Sequence, residues 1–177
     1  MTGSQRPQLR RIQVQWSGVM TVDALVKPLL RLEIFQGLRP LQITEIARRA
    51  ERMMFSPGQV IVHAGTPGDG GFVLVAGDAV CIGRGASRIK PEAIEPGSLI
   101  GELAMFVEHD YAITVVARGP VRALKIVREA MHDQMRDDAR MAQHISSKIT
   151  SRLTSLADEL RRIDSRLAHA AEVHAAG

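Results

Sequence analysis

The stretch Gly101-Glu102-Leu103-Ala104-Met105-Phe106, closed by Tyr111-Ala112-Ile113-Thr114-Val115, decides how this chain is read. A glycine can open a tight turn because it tolerates φ > 0. A carboxylate directly after it can accept hydrogen bonds from hydroxyls. Amides exposed on such a turn form a concave group of donors suited to an anion. The β-branched run that follows reads as a strand. The segment is therefore a turn that presents polar groups, seated in a β-structure.

The chain before it, from Met54, consists of short apolar runs separated by glycines and prolines. Ser56-Pro57-Gly58 is a turn signal ahead of Val60-Ile61-Val62. Gly65 to Gly71 is a second turn segment. Phe72-Val73-Leu74-Val75 reads as a buried strand, and Gly77-Asp78 turns the chain into Ala79 to Ile82. Gly83 to Pro91 reads as an exposed hairpin tip carrying Arg84, Arg88 and Lys90. Ala93-Ile94, Leu99-Ile100, Ile113 to Val116 and Val121 to Val127 complete the set. Strands at this spacing predict a sandwich or barrel.

Helical spacing flanks this core. Val22, Leu25, Val26, Leu29 and Leu30 fall on one face, although Pro28 argues against one smooth helix. Leu41 to Arg52 reads as a second helix with Ile43, Ile46 and Ala47 inward. After Arg128 no proline occurs and no glycine until the last residue. Met141, Ile145, Ile149, Leu153, Leu156, Leu160, Ile163, Leu167 and Ala170 follow steps of four and three, close to a heptad seam. Asp137 or Asp138 can cap its start. The seam can pack on its own domain or pair with a second copy, and its length favours a homodimer through this helix. The expected organisation is a loose basic arm over 1–20, a domain over 21–136 and a long dimerisation helix over 137–175.

Composition bounds the function. Of 177 residues, 45% are hydrophobic, enough for one core, but only 3% are aromatic, so aliphatic side chains and the 8 methionines must fill it. The single Cys81 excludes an intrachain disulfide and reads as a small core hydrophobe. No stretch is long and apolar enough to span a bilayer, and the N-terminus lacks an apolar signal core, so a cytoplasmic setting is expected. Net charge is +4. Arg6, Arg10 and Arg11 cluster before the first acid, while later cations mix with acids, which reads as a solvated surface. No Lys-Ser/Thr pair follows the Gly65–Gly71 segment, and no nucleophile arrangement or metal-ligand spacing is recognisable. The expectation is a protein that is not an enzyme, holds no metal and requires no cofactor.

The middle of the chain resembles the cyclic nucleotide-binding domain family from about Ile34 to Leu160. The resemblance rests on Phe35-Gln36-Gly37-Leu38, on Pro57 to Ile61 followed by Gly65-Thr66-Pro67-Gly68-Asp69, on Phe72 to Gly77, and on Ile94 to Gly101 leading into the Gly-Glu-Leu-Ala run. It implies an α+β fold: an antiparallel β-roll of about eight strands, helices before it and a long helix after it. It also implies a ligand site at Gly101, Glu102, Leu103, Ala104, Tyr111 and Ala112, with Glu102 on the ribose and Ala112 near a phosphate oxygen. The possible ligand is cAMP or cGMP.

One position departs from the family pattern. Its phosphate-neutralising arginine falls on Tyr111, preceded by Asp110. A neutral phenol in place of a charge-assisted pair costs about 2–5 kcal/mol of phosphate binding. Arg84, Arg88, Arg152 and Arg161 are the candidate compensating cations. Tyr111 itself has three readings: it fills the vacated pocket and bonds Glu102, it touches ligand, or it lies on the surface. Two functions follow. One is a sensor of the cyclic nucleotide-binding type with an atypical cassette. The alternative is a degenerate, dimeric interaction module with an unidentified protein partner. Relatives with a DNA-reading role carry a helix-turn-helix after the long helix, and specific DNA binding is not expected of this chain.

Overall fold

The computed structural model describes residues 22–82 and 91–175. The expected arm over 1–20 and the hairpin cations Arg84 and Arg88 lie outside them. Two four-stranded antiparallel sheets face each other. The first has the order β1 (Glu51–Phe55), β10 (Val121–Val127), β4 (Gly70–Ala76), β7 (Leu99–Ile100). The second has β2 (Val60–Val62), β9 (Thr114–Ala117), β5 (Ala79–Ile82), β6 (Glu92–Ile94). A small rung, β3 (Pro67–Gly68) with β8 (His109–Asp110), closes one end. This is the roll expected from the strand spacing.

Strand β4 shows why its run of apolar residues is unbroken. Successive side chains point to opposite faces. Phe72 and Leu74 enter the core between the sheets, with Ile61, Val62, Val115 and Val121. Val73 enters a second core, under the helices. That second core joins α1 (Val22–Leu30), α2 (Pro40–Arg49), α3 (Arg128–Asp137) and the start of α4 (Ala139–Ala175) to the outer face of the first sheet.

Three local expectations differ from what is seen. Helix α1 runs through Pro28. The proline forfeits the one backbone bond that its missing N–H would make to Ala24 O, and Leu25 and Leu29 on either side are buried. Helix α2 ends at Arg49, not Arg52. Ala50 turns to extended backbone, and Glu51 and Arg52 pair with Lys125 and Leu124 in β1. Sheet pairing there overrides helix propensity. The Gly65–Gly71 segment is also more than a turn, since it supplies β3 and the start of β4.

The heptad-like seam divides in two. Met141 and Ile145 are fully buried in the helix-side core, and Ile149 packs against it. Leu153, Leu156, Leu160, Ile163 and Leu167 are all exposed. Asp138 caps α4: its Oδ1 accepts from the amides of Arg140 at 3.1 Å and Met141 at 3.0 Å. At 37 residues α4 is about 55 Å long, so its far half runs beyond the domain.

Candidate functional site: the cassette and its surroundings

Gly101 adopts the left-handed conformation (φ 72°, ψ 37°) and opens a 3-10 turn over Glu102–Met105. Any side chain there would be strained, and a Cβ would stand 2.6 Å from Cε1 of Tyr111. The first amides of such a turn have no acceptor within it. The turn closes through Ala104 N to Gly101 O at 3.1 Å and Phe106 N to Leu103 O at 3.0 Å. Ala104 and Met105 point into the protein, whereas Leu103 is exposed.

Glu102 lies at the start of this turn. Its Oε1 accepts from Nη1 of Arg152 on α4 at 2.5 Å. The two side chains are 26% and 44% exposed, so water still reaches the pair. Arg152 is thus the one proposed compensating cation among the described residues that meets the cassette. Arg161 pairs with Asp158 on its own helix at 2.7 Å.

Tyr111 points inward. It is 7% exposed and belongs to the core between the sheets. Its hydroxyl donates to Gly70 O at 2.8 Å, not to Glu102. Its ring lies 6.5 Å from that of Phe72, at 54°. A Cβ on Gly68 would come within 3.1 Å of its Cζ. Three glycines, Gly68, Gly70 and Gly101, therefore frame the phenol. Its backbone is fixed as well: Tyr111 N donates to Thr66 O at 3.0 Å, and Gly65 N donates to Tyr111 O at 2.8 Å. Burial, and next the negative Asp69 nearby, push the phenol up to about 12. Ala112, the next residue, is exposed.

Sequence reasoning missed Arg128. Its Nη1 donates to Gly68 O at 2.8 Å, Val107 O at 3.0 Å and Ala104 O at 3.4 Å. Its amide donates to Asp69 O at 2.8 Å. One guanidinium so ties β3 to the end of the cassette turn. His132 adds a contact of 2.7 Å between its ring Nε2 and Phe106 O. An arginine between a strand and a helix carries no periodic signal, which is why neither residue stood out. Beside Arg128 lies a cleft of about 700 Å³ lined also by Pro67, Gly68, Glu108, His109 and Asp110. Two carboxylates face one guanidinium there, an environment unfavourable to an anion.

Residues 52–138 match the cyclic nucleotide-binding domain family. Over these residues the chain is similar to that family. The CRP-like cAMP-activated global transcriptional regulator of Mycobacterium tuberculosis is 27% identical over 143 residues, covering 79% of this chain. The chain spans 60% of that relative's length. Among solved structures, the N-terminal domain of a transcriptional regulator from Streptomyces coelicolor A3(2) has a TM-score of 0.66 at 22% identity, covering 78% of this chain and 95% of that one. The catabolite activator protein of Thermus thermophilus has a TM-score of 0.59 at 20% identity, covering 74% and 62%. Such likenesses carry the fold. Among the described residues no helix is long and apolar enough to cross a membrane.

Proposed function

We propose that this cyclic nucleotide-binding domain is a non-enzymatic, dimeric regulatory module whose cassette does not take cAMP or cGMP. The observation that carries this reading is Tyr111, buried and hydrogen-bonded to Gly70, at the position expected to hold the phosphate's arginine. A neutral phenol supplies no counter-charge, and Asp110 beside it repels one more negative group. The lost charge-assisted pair is worth about 2–5 kcal/mol, or tens to thousands-fold in affinity. The exposed leucines of α4 support the dimer. Five large apolar side chains, Leu153 to Leu167, share the seam, and a second copy of the helix would bury it.

A second reading is favoured by Glu102 and Arg152. The carboxylate stands beside the open amides of the 3-10 turn, and Arg152 brings a cation to the same place. The cAMP-activated relative lends it weight. On this reading the protein is a sensor in which Glu102 meets a ribose and Arg152 replaces the missing arginine. Titration calorimetry with cAMP, cGMP and cyclic dinucleotides separates the two. The first reading expects no saturable heat, and micromolar binding of any of them would establish the second. Sedimentation of the full chain tests the dimer: a monomer at high concentration would refute it.

A further inference from the structure

The exposed seam of α4 carries an orientation as well as a partner. Leu153, Leu160 and Leu167 recur at heptad spacing, and Leu156 and Ile163 recur between them. Steps of three and then four make the first set a positions and the second set d positions of a coiled coil. The flanking positions are then fixed. Arg152, Glu159 and Arg166 stand at g, just before each a residue, and Ala157 and Asp164 stand at e, just after each d residue. Arg152 is engaged by Glu102 of its own domain. Asp158 and Arg161 pair with each other away from the seam. Glu159, Asp164 and Arg166 are exposed beside it.

Charges at e and g set which way two helices run. In a parallel, in-register pair, g of one helix faces the following e of the other. Glu159 would then meet Asp164 of the second copy, twice by symmetry, and like charges set against each other disfavour that arrangement. In an antiparallel pair, a residues lie level with d residues, g faces g and e faces e. With Leu160 level with Ile163, and Leu156 level with Leu167, Glu159 of each copy meets Arg166 of the other, and Asp164 meets only Ala157. Sliding this pairing by one heptad sets Arg166 against Arg166 in one direction and Glu159 against Glu159 in the other. Given the dimer through α4 proposed for this chain, we propose that the two helices pair antiparallel in this single register. The two domains then stand at opposite ends of the pair. The points at Ile149 where each helix leaves its core are about 38 Å apart along it.

Sedimentation equilibrium of the full chain tests the orientation by the sign of one charge reversal. Glu159→Lys turns two attractions into two repulsions in the antiparallel pair and should raise the dimer dissociation constant about tenfold. Adding Arg166→Glu should return it to the native value. In a parallel pair Glu159→Lys would face Asp164 and tighten the dimer. That result, or no change, would overturn the proposal. A nitroxide label on Ser151→Cys, in a Cys81→Ser background, reads the geometry directly. The two labelled sites are about 32 Å apart along an antiparallel pair and side by side in a parallel one, so a label separation below about 30 Å would overturn the proposal and a longer one supports it. A native chain that stays monomeric removes the dimer, and this orientation with it. A dimer with the opposite charge response removes the orientation alone.

Discussion

The Tyr111 hydroxyl donates a hydrogen bond of 2.8 Å to the carbonyl oxygen of Gly70, 41 residues away in sequence. This bond seats the phenol among glycines that leave it room, and it satisfies a backbone acceptor inside the roll. Tyr111→Phe removes the donor and leaves that acceptor bare. A loss of about 1–2 kcal/mol in urea unfolding is expected. A variant as stable as the native chain would show that the bond contributes nothing.

The same burial predicts an alkaline transition. The neutral phenol is favoured in the fold, so its ionisation is raised from about 10 to about 12. Stability from this group is complete below about pH 10 and is lost as pH rises toward 12. Tyr111 is the only tyrosine, so tyrosinate absorbance reports it alone. A folded-state midpoint near 10 would mean the ring is solvated.

Asp138 acts at the opposite end of the scale. Chiefly the Gln42 hydrogen bond, and then the Met141 amide, hold its carboxyl below the usual range. Its contribution is present above the ordinary carboxylate value near 4 and is lost as pH falls below it. In Asp138→Asn the acid limb of the stability curve should be shallower than in the native chain. Identical acid limbs would contradict the assignment.

The fold could be read from the sequence because its signals are local. Glycines at turn positions, β-branched runs and the Gly-Glu-Leu-Ala segment each report on their own few residues. Gly101 is an example, since its left-handed backbone follows from the turn it opens. Other features depend on partners distant in the chain. Glu51 and Arg52 looked helical until β10 paired with them. Arg128 gains its role from carbonyls of Gly68, Ala104 and Val107, which no sequence period brings together. One of the three readings of Tyr111 paired it with Glu102, and only the path of β4 puts Gly70 at its hydroxyl instead. The seam of α4 was visible throughout, but the place where it leaves the core, between Ile149 and Leu153, is set by the size of the domain.

That division makes a mutational contrast. Met141→Ala opens a cavity at a fully buried site and should cost about 2–5 kcal/mol. Leu160→Glu changes a side chain that is 66% exposed and should leave domain stability within about 0.5 kcal/mol. Sedimentation should nonetheless show Leu160→Glu shifted to monomer. Equal assembly of the native chain and Leu160→Glu would remove α4 from the interface.

The Glu102–Arg152 pair is partly open to water, and its worth as a bare ion pair is no more than about 1 kcal/mol. Arg152→Gln should therefore leave the unfolding midpoint nearly unchanged. A loss well above that range would mean the bridge holds the cassette and α4 together more strongly than an exposed pair can.

Titration of the native chain and of Tyr111→Arg with cAMP, followed by calorimetry, tests the central claim most directly. The native chain should give no saturable heat, because a buried phenol stands where a cation is required. Saturable binding of cAMP by the native chain would contradict that account.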